Sequence, residues 1–155
     1  MIGIKHFGPA LALLLWGCGQ GAAQPDQTVQ QLMSDKVQPT SEVYWNSVQY
    51  ISDEQGDHDI VPQTEQDWER VRAAAVQLGE YGKLLQTEAY TQGRKEDWTR
   101  FSQALVEVSV RAEQAAASKD PGAVFEVGGT VYSVCSACHQ AYPPEEGAGS
   151  EGSEA

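Results

Sequence analysis

Apolar residues recur every three or four positions in four stretches of the chain, the spacing that gathers them on one face of an α-helix. The alternation typical of a half-buried strand is almost absent. The first stretch runs from about Thr28 to Ser52, and Pro39 predicts a kink or a break inside it, since proline lacks the N–H of a helical turn. A polar connection over residues 56–62 follows.

The other three stretches carry helix-start signals or regular apolar stripes. Thr64 is the predicted N-cap of the second, with Asp67 placed as in a capping box. Residues 86–93 are predicted to be a loop before the third. The fourth begins at Asp120 and Pro121, a capping residue followed by proline in the first turn. The predicted buried faces are Trp68, Val71, Ala75, Leu78, Gly82 and Leu85; Trp98, Phe101, Leu105, Val108, Ala112 and Ala115; and Val124, Gly128, Val131, Cys135, Cys138 and Tyr142.

Four amphipathic helices with short connections bury their apolar faces best as an antiparallel four-helix bundle. We therefore expect an all-α domain over residues 24–143. Residues 144–155 consist mostly of Gly, Ser, Glu and Ala and are expected to form a disordered acidic tail.

Residues 1–23 have the pattern of an export signal, with an apolar run from Ala10 to Trp16 behind Lys5. The segment Leu15-Trp16-Gly17-Cys18 is similar to a lipoprotein signal, which predicts lipidation of Cys18 and anchoring to the outer membrane from the periplasm. Cleavage after Gly21-Ala22-Ala23 is the alternative, and it would release a soluble periplasmic protein.

The formal net charge is −12, and loss of Lys5 with the signal makes it one unit more negative. This balance argues against nucleic acid and anionic lipid as partners, and leaves a lipid anchor as the expected membrane contact. A basic redox partner protein would be attracted at low salt.

The decisive motif is Cys135-Ser136-Ala137-Cys138-His139, the spacing of c-type haem attachment. Two thiols bond the two vinyl groups of one porphyrin, and the following His ligates the iron. A thioredoxin-like motif would need a βαβ context, and a zinc site would have only His58 as its fourth ligand. A disulfide between Cys135 and Cys138 would leave His139 without a role. We expect one covalent haem c with its iron.

A helical bundle with this motif on its last helix resembles the cytochrome c′ family, the class II c-type cytochromes. The resemblance extends from about Thr28 to Tyr142 and includes Gln31-Leu32-Met33, Gly128-Gly129-Thr130-Val131-Tyr132, Pro39 with Val43-Tyr44-Trp45, and Trp68-Glu69-Arg70-Val71-Arg72. Family members usually carry Arg or Lys four residues after the ligating His. Pro143 stands there instead, which argues against gas sensing through a proximal cation.

The resemblance implies that a first-helix residue decides the function. Met33 in a position resembling the low-spin ligand implies His139/Met33 ligation and periplasmic electron transfer. If Met33 only packs, Leu32 covers an open iron, and the alternative is a five-coordinate haem protein that binds nitric oxide or carbon monoxide. His58 lies in the polar connection and is disfavoured as a ligand. We expect no enzymatic activity, since no distal acid–base pair is recognisable. The resemblance also makes a homodimer plausible.

Overall fold

The computed structural model describes residues 25–144, and within them the chain is mostly helical, with five helices and one two-stranded sheet. Expectations for residues 1–23, Cys18 among them, and for the tail from residue 145 onward lie outside these described residues. The elements are α1, continuous through Val29–Leu32, a π-helical stretch Met33–Val37 and Gln38–Trp45; β1, Gln49–Asp53; β2, Gly56–Ile60; α2, Glu65–Leu84; α3, Glu88–Thr91; α4, Glu96–Ala117; and α5, Pro121–Ala141. No helix among residues 25–144 combines the length and the apolar character needed to cross a bilayer.

The predicted helix starts at Thr64 and Asp120 are confirmed. The Thr64 hydroxyl accepts from the Asp67 backbone N–H, and the Asp67 side chain accepts from the Thr64 N–H, which satisfies two otherwise free donors. Asp120 accepts from the N–H of Ala123. The start of α1 at about Thr28 is also confirmed, although its capping box of Thr28 and Gln31 was not recognised in the sequence.

A kink or a break was expected at Pro39, and the helix does not break there but changes its winding just before it. The backbone is π-helical over Met33–Val37, and the N–H of Gln38 donates to the carbonyl of Met33, five residues earlier. In a regular α-helix the ring of Pro39 would collide with the preceding turn, and this wider stretch forms that turn. The extra residue therefore lets the helix continue through Pro39 to Trp45.

The first helix was predicted to reach Ser52, and this was wrong. It ends at Trp45, and residues 49–60, including much of the expected polar connection, form a β-hairpin in which Tyr50 pairs with Asp59. Gly56 begins β2 with a φ of +108°, a conformation that glycine adopts most easily. The three apolar residues Val48, Tyr50 and Ile51 fit either period, so spacing alone did not distinguish strand from helix.

The buried side chains form two clusters that differ in the size of their side chains. At one end, small residues of α2 and α4 dominate, which lets the helices approach closely. At the other end the side chains are larger and the packing leaves room for a cavity. The first cluster contains Tyr44, Val48, Val71, Ala74, Ala75, Ala112, Ala115, Ala116 and Val124. The second contains Leu32, Val37, Leu78, Leu85, Tyr90, Trp98, Leu105, Val108 and Val131.

Most of the predicted faces are buried as expected, with informative exceptions. Trp68 and Phe101 are only half-buried. The loop expected over residues 86–93 contains the helical turn α3, whose Tyr90 is buried and donates through its hydroxyl to the carbonyl of Gln27 at 3.1 Å. This hydrogen bond ties the start of the described chain to the connection between α2 and α4.

Candidate functional site

A largely apolar cavity of about 480 Å³ opens at the end of the molecule where the larger buried side chains lie. The helices α1, α4 and α5 supply almost all of its wall, so the first and last helices face each other across it. It is lined by Met33, Val37, Gln38, Ser41, Glu42, Trp45, Leu85, Trp98, Phe101, Ser102, Leu105, Tyr132, Val134, Cys135, Ser136, Cys138, His139 and Gln140.

The motif Cys135-Ser136-Ala137-Cys138-His139 lies in the last two turns of α5. Cys135, Cys138 and His139 all line the cavity, because spacings of three and four residues place side chains on one helical face. Both cysteines are half-buried and carry free thiols, whereas His139 is exposed to solvent at the cavity edge. One helix thus presents two thiols and one imidazole to the same space.

The two candidates on the first helix are separated by the structure. Met33 is half-buried and lines the same cavity as the cysteine motif. Leu32 is only 1% exposed, belongs to the large-residue core and does not line the cavity. Met33 also begins the π-helical stretch, a feature frequently found at functional sites.

The polar groups in the wall are mostly satisfied within their own helices. The buried Ser41 hydroxyl donates to the Val37 carbonyl at 2.9 Å, and that of Ser102 donates to the Trp98 carbonyl at 2.9 Å. Glu42, the one lining Asp or Glu, is exposed and accepts from the Gln38 amide at 3.1 Å. The interior surface is therefore suited to a largely apolar group rather than to a highly charged one.

Burial determines the protonation of the two thiols. It raises the pKa of Cys138 to about 11, with smaller contributions from neighbouring Cys135 and Asp97, and it also raises the pKa of Cys135. Catalytic and redox-active cysteines depend instead on a lowered pKa, often at a helix N-terminus. Neutral thiols near a helix C-terminus do not match the thioredoxin-like alternative.

Aromatic residues meet between the start of α4 and the end of α5; the sequence placed Trp98 and Tyr142 on buried faces but did not indicate that they contact each other. The ring of Tyr142 stacks edge-on against Trp98 at 5.1 Å between centroids, and its hydroxyl donates to Asp97. The guanidinium of Arg94 lies over the Trp98 ring, 4.3 Å from the ring centre. These contacts tie the end of α5, three residues beyond His139, to the start of α4.

Trp45 and Ser41 were also missed as lining residues, although a signal for them exists. Met33, Val37, Ser41 and Trp45 follow each other at intervals of four residues, and all four line the cavity. In an ideal α-helix such a series drifts around the axis, but the π-helical stretch alters the winding between its first two members.

His58 lies in β2, is exposed and does not line the cavity. Its Nε2 is 3.9 Å from a carboxylate oxygen of Asp53. Over residues 25–144, no three His, Cys, Asp or Glu side chains are grouped so as to hold a metal ion. The zinc arrangement with His58 as a fourth ligand is therefore not formed in this part of the chain.

No protein-family model matches the chain. Searches of curated proteins and of solved structures likewise found no match.

Proposed function

We propose that this protein is a c-type cytochrome that carries one covalent haem and transfers electrons in the periplasm. The observation that carries the proposal is that Met33 and the motif residues Cys135, Cys138 and His139, about a hundred positions apart in the sequence, line one cavity. Under this proposal the long helices form an antiparallel four-helix bundle of the class II type, with the haem on α5.

The cavity and its lining fit such a group. Its volume of about 480 Å³ falls within the range of roughly 300–1,000 Å³ usual for small-molecule and cofactor sites. Cys135 and Cys138 would hold the porphyrin through two thioether bonds, and His139 would ligate the iron. Haem supplies one-electron chemistry when bound.

Met33 is the candidate for the second axial ligand. It lines the cavity whereas Leu32 is packed in the core, which supports electron transfer with His139/Met33 ligation over an iron covered by Leu32. A thioether ligand raises the reduction potential. Surrounding apolar side chains such as Val37, Leu105 and Phe101 would keep water from the iron and further affect the potential.

Export and anchoring form a separate part of the proposal. The apolar run before Cys18 supports secretion, and a lipidated Cys18 would hold the domain at the outer membrane. Mass analysis of the mature N-terminus tests this: a triacylated Cys18 supports the anchor, and an unmodified start at Gln24 contradicts it. A homodimer remains part of the proposal and is tested by sedimentation.

The first experiment is an optical spectrum of the haem-loaded protein, oxidised and reduced, with and without carbon monoxide. We expect a low-spin spectrum that resists carbon monoxide and becomes high-spin in Met33→Ala. Val37→Ala is the matched control, because Val37 lines the same cavity one turn away and has no ligating atom. A wild-type protein that is already high-spin and binds carbon monoxide readily would instead support the five-coordinate alternative.

A second experiment tests attachment itself. Cys135→Ala combined with Cys138→Ala should give protein without covalent haem on a denaturing gel stained for haem. Haem that remained attached in this double variant would contradict the proposal, and so would a wild-type protein without covalent haem.

A further inference from the structure

A second groove, lined mainly by aromatic side chains, lies on the surface between α1, the hairpin and α5. We call it the aromatic groove and define it by Trp45, Tyr50, Phe125 and Tyr132; its volume is about 320 Å³. Tyr50, Phe125 and Tyr132 are 50%, 52% and 64% exposed, although each is a large hydrophobic residue. Tyr50 and Phe125 stack edge-on with centroids 5.0 Å apart, so strand β1 and helix α5 present one continuous apolar surface.

The aromatic groove shares a wall with the cavity described above. Trp45 and Tyr132 line both spaces, and their rings meet in an edge-on arrangement with centroids 6.2 Å apart. A single layer of two aromatic side chains therefore separates the candidate haem cavity from the exposed surface of the groove.

Acidic residues border the aromatic groove on the hairpin side. Asp59 pairs directly with Tyr50 across the two strands, and Asp53, Glu54 and Asp57 follow at the tip of the same hairpin. On α5, Glu126 is exposed next to Phe125. No residue that lines the groove carries a charge. The result is an apolar centre with a negatively charged rim, the arrangement typical of a protein interface.

We propose that the aromatic groove and its acidic rim are the docking site for a redox partner protein whose contact face is basic around an apolar centre. The inference rests on the proposed electron-transfer function and adds the surface through which it acts. Charge decides between occupants: a second copy placed face to face would bring the two acidic hairpins together, whereas a basic partner is attracted to them. One electron passes from the reduced protein to the oxidised partner, and no bond forms or breaks.

The test uses the full haem-loaded protein and a basic mitochondrial-type cytochrome c as the probe partner. Phe125→Ala and Asp59→Asn alter the groove and its rim without touching the haem cavity. Val110→Ala and Glu107→Gln on α4 are matched controls: Val110 is also 50% exposed, and neither residue lines the groove or the cavity. The measurements are calorimetric binding to the probe, stopped-flow electron transfer at several salt concentrations, and the reduction potential.

We expect Phe125→Ala to weaken binding about fivefold, as loss of an important interface residue does. Asp59→Asn should slow electron transfer about twofold at low salt and reduce its salt dependence. The spectrum and the potential should be unchanged in both, and the control variants should match the wild type. Equal binding and rates in all four variants would overturn the docking site while leaving electron transfer intact.

Two other outcomes are separable. If the protein holds no covalent haem, the proposed function fails, but the calorimetric comparison of Phe125→Ala with Val110→Ala still decides whether the groove docks a basic protein. If sedimentation shows a wild-type dimer that dissociates in Phe125→Ala, the groove is an interface between two copies and the proposal is wrong.

Discussion

The indole Nε1 of Trp45 donates a hydrogen bond to the backbone carbonyl of Gly128 at 3.0 Å, joining the end of the first helix to the middle of the last. Gly128 lies so close that an added Cβ would stand 3.4 Å from Cδ1 of the indole. This contact holds α1 and α5 together beside the cavity, and it also fixes the ring that separates the cavity from the aromatic groove.

Trp45→Phe should lower the free energy of unfolding by about 0.5–1.5 kcal/mol, because it removes the indole hydrogen bond to the Gly128 carbonyl, which then keeps only its hydrogen bond within the helix. Urea unfolding followed by circular dichroism measures this. Trp68→Phe is the control, since Trp68 is also half-buried but its indole N–H has no acceptor within residues 25–144. An equal loss in both variants would mean that ring packing, and not the hydrogen bond, accounts for the effect.

Gly82→Ala should destabilise the fold by roughly 1–3 kcal/mol, because overpacking forces neighbouring groups apart. A Cβ at Gly82 would lie 2.8 Å from Cγ2 of Val106 and 3.0 Å from the Ser102 carbonyl oxygen. The same substitution at Gly129 in α5 meets nothing within 4 Å and should stabilise the helix by up to about 1 kcal/mol. In denaturant unfolding, we expect the free energy of unfolding to fall in Gly82→Ala and to rise in Gly129→Ala. Changes of the same sign in the two variants would contradict this account.

The buried Tyr44 should make the protein sensitive to alkali. Burial raises the pKa of its phenol from 10.0 to about 12, since the ionised form loses its hydration. The folded chain therefore keeps this proton to a higher pH than the unfolded chain. The resulting contribution, roughly 2–3 kcal/mol, is fully present below pH 10 and is lost between pH 10 and 12.

Tyr44→Phe should accordingly flatten the fall in unfolding free energy between pH 9 and 12, as measured by urea titration at each pH. Tyr50→Phe is a matched control, because Tyr50 is half-exposed on the hairpin. A decline of the same steepness in Tyr44→Phe and in the wild type would show that other groups cause it.

The thiol of Cys138 should react slowly in the protein prepared without haem. With its pKa raised from 9.0 to about 11, its thiolate fraction at pH 8 falls about 100-fold, but the more basic thiolate is intrinsically more nucleophilic. The net expectation is alkylation by iodoacetamide about tenfold slower than for an ordinary thiol. Cys135→Ser isolates Cys138 in a chain lacking residues 1–23, and the same variant in urea is the reference. Equal rates folded and unfolded would refute the raised pKa.

Several local features followed from the sequence because they depend on neighbouring residues alone. The capping interactions of Thr64 with Asp67 and of Asp120 with Ala123 occur where the side-chain types predicted them. The apolar faces of α2, α4 and α5 were predicted equally well. Each of these helices is longer than four turns, so the spacing of its apolar residues matches only the helical period. The attachment of haem to Cys135 and Cys138 and the role of Met33 as an axial ligand remain predictions.

The predictions of secondary structure were wrong or incomplete where local sequence signals conflict or are too short. Pro39 predicts a kink or a break because it lacks the backbone N–H of a helical turn. The helix nevertheless continues through Pro39, which follows a π-helical stretch of five residues. The segment from Val48 to Ile51 is too short to show a period, and it becomes a strand because Gly56 permits a tight reversal that pairs Tyr50 with Asp59. Burial of Tyr90 likewise orders a turn that its polar neighbours did not indicate.

By itself the sequence determined the Cys-x-x-Cys-His motif, the long helices and most of their inward faces, because these are encoded in spacings of a few residues. Only the tertiary structure decided that Met33, and not Leu32, borders the same cavity as Cys135 and His139. It also decided that Trp45 and Tyr132 separate that cavity from an exposed groove. These relationships join residues about a hundred positions apart, and they depend on how two helices approach at Gly128, which no local pattern specifies.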